Sequence, residues 1–176
     1  MLTISLVTIE LKHRAHGHAE ILIAGRSFPI SEEPRLAVIP TELLQDVRLS
    51  ELPGEIAVKP SGVSIVLAGG EQVDCWLYGF RDGYGFARIQ VTTRAGPTAR
   101  LRALQEAVCE RQEKQGDVEP TETGPPKYCG LSFLLDLVED VPISEALAKV
   151  EQVLTELHNR RLSLLGTQPL GTSAAS

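Results

Sequence analysis

The stretch that decides the fold is VSIVLAGGEQVDCWLYGFRDGYGFARIQVTT, which runs from Val63 to Thr93. It contains three segments in which apolar and polar residues alternate, and these are separated by Gly69-Gly70 and Asp82-Gly83. Glycine and Asp-Gly pairs readily adopt the positive φ angles that tight hairpin loops require. The pattern therefore predicts a three-stranded antiparallel meander.

The register of the second hairpin follows from matching apolar residues across the two strands. A two-residue turn at Asp82-Gly83 would place Leu77 opposite Arg88. A three-residue loop over 82–84 instead places Leu77 opposite Ile89. Because a one-residue slip exchanges the two faces of a strand, only the second option gives a consistent apolar face. We therefore predict the three-residue loop.

A three-residue loop over 69–71 extends the same sorting to the first hairpin. One face of the meander is then aliphatic and consists of Val63, Ile65, Leu67, Val73, Cys75, Leu77, Ala87, Ile89 and Val91. The other face carries Trp76, Tyr78, Phe80, Phe86, Arg88 and Gln90, with Tyr78 opposite Arg88 and Phe80 opposite Phe86.

The second face is unusual, because the open side of an antiparallel sheet normally carries polar residues. One interpretation is that a further layer covers it, with Trp and Tyr directing their polar tips to the edge. The other is an exposed docking surface, since aromatic residues and Arg are enriched at binding hot spots. We define the aromatic strand face as Trp76, Tyr78, Phe80, Phe86 and Arg88, and predict that these residues bind a protein partner.

The rest of the chain places strands before helices, which is typical of an α+β fold. We predict an antiparallel meander sheet of about five to seven strands within residues 3–93. Two or three C-terminal helices, including 98–115 and 143–165, are expected to pack against it. The short apolar run 131–139 fits a helix or a strand equally well.

Size and charge restrict the classes of protein that this chain can belong to. Its 176 residues favour a single domain over 1–165, followed by a flexible tail over 166–176. A net charge of −6 argues against binding to nucleic acid, which requires a basic face. The apolar amino-terminal stretch contains Glu10 and lacks a basic leader, so we expect no signal peptide and no membrane association.

The three cysteines, Cys75, Cys109 and Cys129, form no CxxC pair, and their odd number leaves at least one unpaired. This usage favours reduced thiols and a cytoplasmic location.

Three of the four histidines fall within six residues, at His13, His16 and His18. Neutral imidazole is a common zinc ligand, and three such nitrogens with one open position resemble a catalytic zinc site. The alternative is a solvated basic turn, because the spacing matches no known metal motif. Zinc is the only cofactor that the sequence suggests.

No phosphate-binding loop or nucleophile elbow is present. The acidic pairs Glu32-Glu33 and Glu139-Asp140 flank turns and helix ends, where solvation explains them, so an enzymatic role is not favoured. We expect a small cytosolic protein-binding module of the immunity, chaperone or adaptor type that uses the aromatic strand face. The alternatives are a metal-binding protein or metal-dependent enzyme that uses the histidine loop, and a structural subunit of a larger assembly. The long last helix would permit a homodimer.

Overall fold

The computed structural model describes residues 8–13, 15–96, 98–113 and 129–164. These residues form nine strands and two α-helices, together with three short 3₁₀ turns. The strands are β1 (Ile9–His13), β2 (Ala19–Ile23), β3 (Arg26–Ile30), β4 (Leu36–Pro40), β5 (Ala57–Ser61), β6 (Ile65–Val66), β7 (Gln72–Leu77), β8 (Gly85–Thr93) and β9 (Cys129–Leu137). The helices are α1 (Ala99–Glu113) and α2 (Ile143–Leu164).

The strands belong to one sheet with the order β1-β2-β3-β4-β5-β7-β8-β9, and β6 pairs with β7 beside this path. The strands from β1 to β4 form antiparallel neighbours, whereas β4 and β5 run parallel. A parallel pair cannot be joined by a tight turn. The connection from β4 to β5 accordingly contains the 3₁₀ turns Thr41–Leu43 and Leu49–Glu51.

The predicted α+β class is confirmed in its coarse form, as a mixed sheet with two helices. The prediction of five to seven antiparallel strands was too simple in two respects. The sheet is mixed, and its ninth strand, β9, follows α1 instead of preceding the helices. In β9 every second side chain from Leu131 to Leu137 is buried, which is the period of a strand and settles the ambiguity over 131–139.

The chain divides into two compact units. The first comprises the segment up to Val63 together with Cys75–Arg88 and Leu135–Ala148. Its core consists of aliphatic side chains from the early strands, from the β4–β5 connection and from the start of α2. They include Ile21, Ile23, Ile39, Leu44, Leu49, Ile56, Val58, Leu77 and Ile143, all of them at most 1% exposed.

Backbone hydrogen bonds attach the β4–β5 connection to the start of α2 within this unit. The Leu49 amide donates to the Val141 carbonyl, and the Ile143 amide donates to the Val47 carbonyl. Asp140 reinforces the junction, because its carboxylate accepts hydrogen bonds from the Ser50 amide and the Arg48 guanidinium. Residues ninety or more positions apart in the sequence are therefore joined here.

The second unit comprises Ser64–Asp74, Ile89–Leu134 and the chain from Lys149 onward. Its buried apolar residues come from β7 to β9 and from both helices, and include Val73, Ile89, Val91, Leu101, Leu104, Val108, Leu131, Val150 and Leu154. Charged groups link the two helices at their surface. Arg161 of α2 forms ion pairs with Glu106 and Glu110 of α1, and Arg160 adds a longer contact with Glu110.

The structure leaves some sequence predictions untested. The tail over 166–176 lies outside the described residues, and the expected single domain over 1–165 stays a prediction. None of the described helices combines the length and the apolar character needed to cross a bilayer.

Candidate functional site: the aromatic strand face

The aromatic strand face depends on the hairpin formed by β7 and β8, and the turn of this hairpin differs from the prediction. Arg81 and Tyr84 exchange backbone hydrogen bonds of 2.8 and 2.9 Å, so the loop contains only Asp82 and Gly83. Both loop residues have positive φ angles, 54° and 79°, as a type I′ turn requires. The predicted three-residue loop over 82–84 was therefore wrong.

Between β7 and this turn, the backbone at Phe80 leaves the ladder, which shifts the register of β7 relative to β8. The Phe80 amide donates to the Leu49 carbonyl instead of to β8, whereas the Tyr78 amide donates to the Phe86 carbonyl. Tyr78 thus lies opposite Phe86, and the predicted pairs Tyr78 with Arg88 and Phe80 with Phe86 were both wrong.

The first hairpin shows the same kind of shift. Ile65 pairs with Val73, and the Leu67 amide donates to the Glu71 carbonyl, so the loop is 68–70 instead of the predicted 69–71. Like the change at Tyr78, this one moves the register by two residues. Because side chains alternate with a period of two, both shifts leave the faces intact.

The predicted sorting of side chains into two faces is accordingly confirmed. The residues of the aliphatic face from Ile65 to Val91 are all buried, and only Val63 at its end is half-buried. On the other face Trp76, Tyr78, Phe80 and Phe86 are half-buried, and Arg88 is exposed.

The structure brings Tyr78 and Phe86 into direct contact. Their ring centroids lie 4.3 Å apart, and the ring planes are inclined by 25°, which is a stacked geometry. Phe80 is placed differently, because its ring lies against the backbone of Gly85. A methyl group added at Gly85 would come within 3.0 Å of the Phe80 ring.

Trp76 lies beside Lys59 of the neighbouring strand β5. The Lys59 ammonium is 5.7 Å from the centroid of the indole ring, within the range of a cation–π interaction. The Trp76 Nε1 atom is buried and donates no hydrogen bond to any described residue. A buried donor without an acceptor costs about 1–3 kcal/mol.

Gly79 fixes the position of the segment that carries Tyr78 and Phe80. A Cβ atom at this residue would lie 2.6 Å from the Leu52 carbonyl oxygen and 3.2 Å from Gly54 Cα. Only glycine permits this approach of two backbones. The sequence shows the glycine but not its neighbour, since Leu52 is distant along the chain.

A second group of polar side chains is buried in the second unit. Glu71 and His158 are each 2% exposed, and Glu71 Oε2 and His158 Nε2 have no hydrogen-bond partner among the described residues. The Glu71 carboxylate lies against Gly69, where an added Cβ would come within 2.6 Å of its Cδ atom. Sequence reasoning missed this pair, because Glu71 sits in a hairpin and His158 in α2.

The environment of His158 disfavours its charged form. Burial lowers the pKa of His158, and the positive charge of Arg100 acts in the same direction, whereas the negative charge of Glu71 opposes them. The net effect is a pKa below the ordinary value of 6.5. The environment therefore favours the neutral imidazole over the charged form.

The predicted histidine site is only partly described. His13 ends β1, and the side chains of His13 and His18 are exposed, whereas the side chain of His16 lies outside the described atoms. Within the described part of the chain, no three metal-ligating side chains come together. Zinc binding by His13, His16 and His18 stays a prediction.

None of the three cysteines, all of them in the described part of the chain, forms a disulfide. Cys75 is buried on the aliphatic face, and Cys109 and Cys129 are half-buried.

A surface groove of about 450 Å³ lies in the second unit, and its lining combines neutral polar groups with one cation. The lining residues are Ser64, Val66, Gly70, Gln72, Thr92 and Arg94. Among these described lining residues there is no acid and no nucleophile with an activating base.

Comparisons with protein-family models, with curated proteins and with solved structures found no match to this chain.

Proposed function

We propose that this chain is a small cytosolic, non-enzymatic protein-binding module of the immunity, chaperone or adaptor type. Its contact surface is the aromatic strand face. The observation that carries the proposal is the stacked pair Tyr78 and Phe86 on the same strand face as the exposed Arg88.

The composition of this face matches that of energetic hot spots, where Trp, Tyr and Arg predominate. Rings that are already packed lose little rotamer freedom when a partner binds, which reduces the entropic cost of association. The Tyr78–Phe86 stack provides such rigidity.

The charge of Arg88 suggests the chemistry of the partner. Arg88 is exposed. A guanidinium group binds a carboxylate in a bidentate manner, which adds geometric specificity. We therefore propose that the partner presents an acidic side chain flanked by apolar residues.

The test is affinity capture from the native host with the full-length chain as bait, followed by mass spectrometry and titration of the captured protein. Arg88→Ala should weaken binding by tenfold or more without loss of folding, because the side chain is exposed. Arg26→Ala is the matched control, since Arg26 is likewise an exposed arginine on a strand, where it lies 5.6 Å from the Phe28 ring centroid, but it is outside the face.

Two results would contradict the proposal. One is equal affinity of Arg88→Ala, Tyr78→Ala and the wild type for the captured protein, with all three shown to be folded. The other is a partner whose binding is lost with Arg26→Ala but kept with Arg88→Ala.

A further inference from the structure

The end of the sheet formed by β9 offers a strand edge with which another strand can pair. β9 is the last strand in the sheet order, so among the described strands it has a neighbour on only one side, namely β8. It is nine residues long, whereas strands usually have about five or six. The N–H and C=O groups of an outer edge are a template on which another strand can pair.

The two edges of the sheet differ in how they are protected. β1, at the other end, has only five residues, IELKH, which include Glu10 and Lys12, and most of its residues are exposed. Short length and charged side chains are the usual means by which proteins keep an edge strand from pairing. β1 is therefore a protected edge.

β9 lacks these protections. Its sequence, CGLSFLLDL, contains no Lys and no Pro, and Asp136 is its only charged residue. Leu131, Phe133, Leu135 and Leu137 are buried on one side, and Ser132 and Leu134 are half-buried on the other. Such a strand has a long, weakly charged outer edge without a neighbour among the described strands.

We propose that β9 pairs in antiparallel fashion with β9 of a second copy of this chain, so that two sheets join into one. A two-fold axis generates this contact from a single surface patch, which is the commonest arrangement in homo-oligomers. The inference does not depend on the aromatic strand face or on its partner.

The sequence of β9 is compatible with pairing to itself. When the two strands overlap fully, the axis passes through Phe133, and Leu131 lies opposite Leu135 of the second copy. Asp136, the only charge, then lies opposite Gly130, so no like charges face each other. Ser132 lies opposite Leu134, which extends apolar contact on the half-buried side.

Strand pairing of this kind joins the copies through few side chains. Stable interfaces bury more than about 1,000 Å², and a single strand pair contributes only part of that area. We therefore expect a dimer whose population rises with protein concentration.

The first test measures the mass of the full-length chain in solution over a dilution series, by sedimentation and light scattering. The wild type should change from monomer to dimer as concentration rises. Leu134→Lys should raise the dissociation constant at least tenfold, because it places a charge at the centre of the new pair. Leu11→Lys is the matched control, since Leu11 is 38% exposed on the protected edge β1, and it should dimerise as the wild type does.

The second test uses the unmodified chain and so does not depend on the folding of a variant. Amide hydrogen exchange in β9 should slow as concentration rises, whereas exchange in β1 should stay constant. A wild type that remains monomeric throughout, or β9 protection that is independent of concentration, would overturn the proposal. Equal dimerisation of Leu134→Lys and the wild type would overturn it as well.

Discussion

Tyr78 and Phe86 are joined twice, once through the backbone and once through their rings. The Tyr78 amide donates a 3.0 Å hydrogen bond to the Phe86 carbonyl, and the rings stack with centroids 4.3 Å apart. The stack thus stabilises the same register that the backbone bond defines, at the start of the hairpin that carries the aromatic strand face.

The first prediction concerns this stack. Phe86→Ala removes both ring contact and half-buried apolar area, and should lower the free energy of unfolding by about 2 kcal/mol. Tyr78→Phe keeps the stacked ring and removes only the hydroxyl group, so it should change stability by less than about 0.5 kcal/mol. Urea titration of both variants is the measurement. Equal stability of the two would show that the stack contributes nothing.

The second prediction concerns Gly79. Gly79→Ala places a methyl group 2.6 Å from the Leu52 carbonyl oxygen, so two backbones must separate. We expect a loss of about 2–3 kcal/mol, in the range of strain in a packed structure. Gly54→Ala is the control, because its Cβ would meet only the flexible Arg81 side chain at an ordinary 3.6 Å. Thermal unfolding of both variants checks the difference, and a destabilised Gly54→Ala with an intact Gly79→Ala would contradict it.

The third prediction concerns the pH dependence that His158 imposes. Its pKa in the folded protein is lowered, mainly by burial. Below the unfolded value of about 6.5, the unfolded chain binds the proton more readily, so stability should fall as pH drops below 6.5. The slope contributed by one such group is at most about 1.4 kcal/mol per pH unit.

Two substitutions separate this effect from general acid unfolding. His158→Gln removes the titrating group and should flatten the stability profile just below pH 6.5. Glu71→Gln removes the negative charge that favours the imidazolium, which lowers the pKa of His158 further. The decline in stability with falling pH should therefore extend to lower pH. Denaturant titrations at several pH values give the profiles. A wild-type profile that is level from pH 7 to 5 would rule out the proposed role of His158.

The fourth prediction concerns Asp140. Burial by itself would raise the pKa of Asp140, but hydrogen bonds from Ser50 and Arg48 outweigh it, and the net pKa is lowered. A lowered carboxylate pKa stabilises the fold above the unfolded value of about 3.9, and this contribution disappears as pH falls through the folded value.

Asp140→Asn should therefore cost about 1 kcal/mol at neutral pH, since Arg48 is half exposed and solvent weakens the pair. The difference from the wild type should shrink below pH 4. Glu55→Gln, at the exposed 3.6 Å pair with Arg35, is the control and should have a smaller effect. Urea titrations at pH 7 and pH 3 provide the comparison, and a constant difference at both pH values would contradict the linkage.

The two faces of the meander could be predicted from the sequence because alternation survives an even shift of register. Matching apolar partners gave loops over 69–71 and 82–84, whereas the chain turns at 68–70 and at Asp82-Gly83. Both hairpins differ from the prediction by two residues at their ladders, so the side chains within the ladders kept their faces, whereas Phe80 lies outside the ladder. Local turn chemistry, and not side-chain matching, determined the loop at Asp82.

Other features depend on contacts between distant parts of the chain. The parallel pairing of β4 with β5 has no local signal, because both strands are short and alternate like their antiparallel neighbours. The run in β9 is too short for its period to distinguish a strand from a helix. Glu71 and His158 each look like ordinary surface residues in the sequence, and only the fold reveals that both are buried.

The junction between the β4–β5 connection and the start of α2 also constrains how the chain is made. The first unit includes Leu135–Ala148, so the ribosome must release that segment before Val47 and Leu49 acquire their backbone partners. Until then the early strands remain an incomplete sheet with exposed aliphatic side chains. During synthesis the first unit therefore stays incomplete until the segment up to Ile143 has emerged, and incompletely folded chains of this kind expose apolar surface to aggregation.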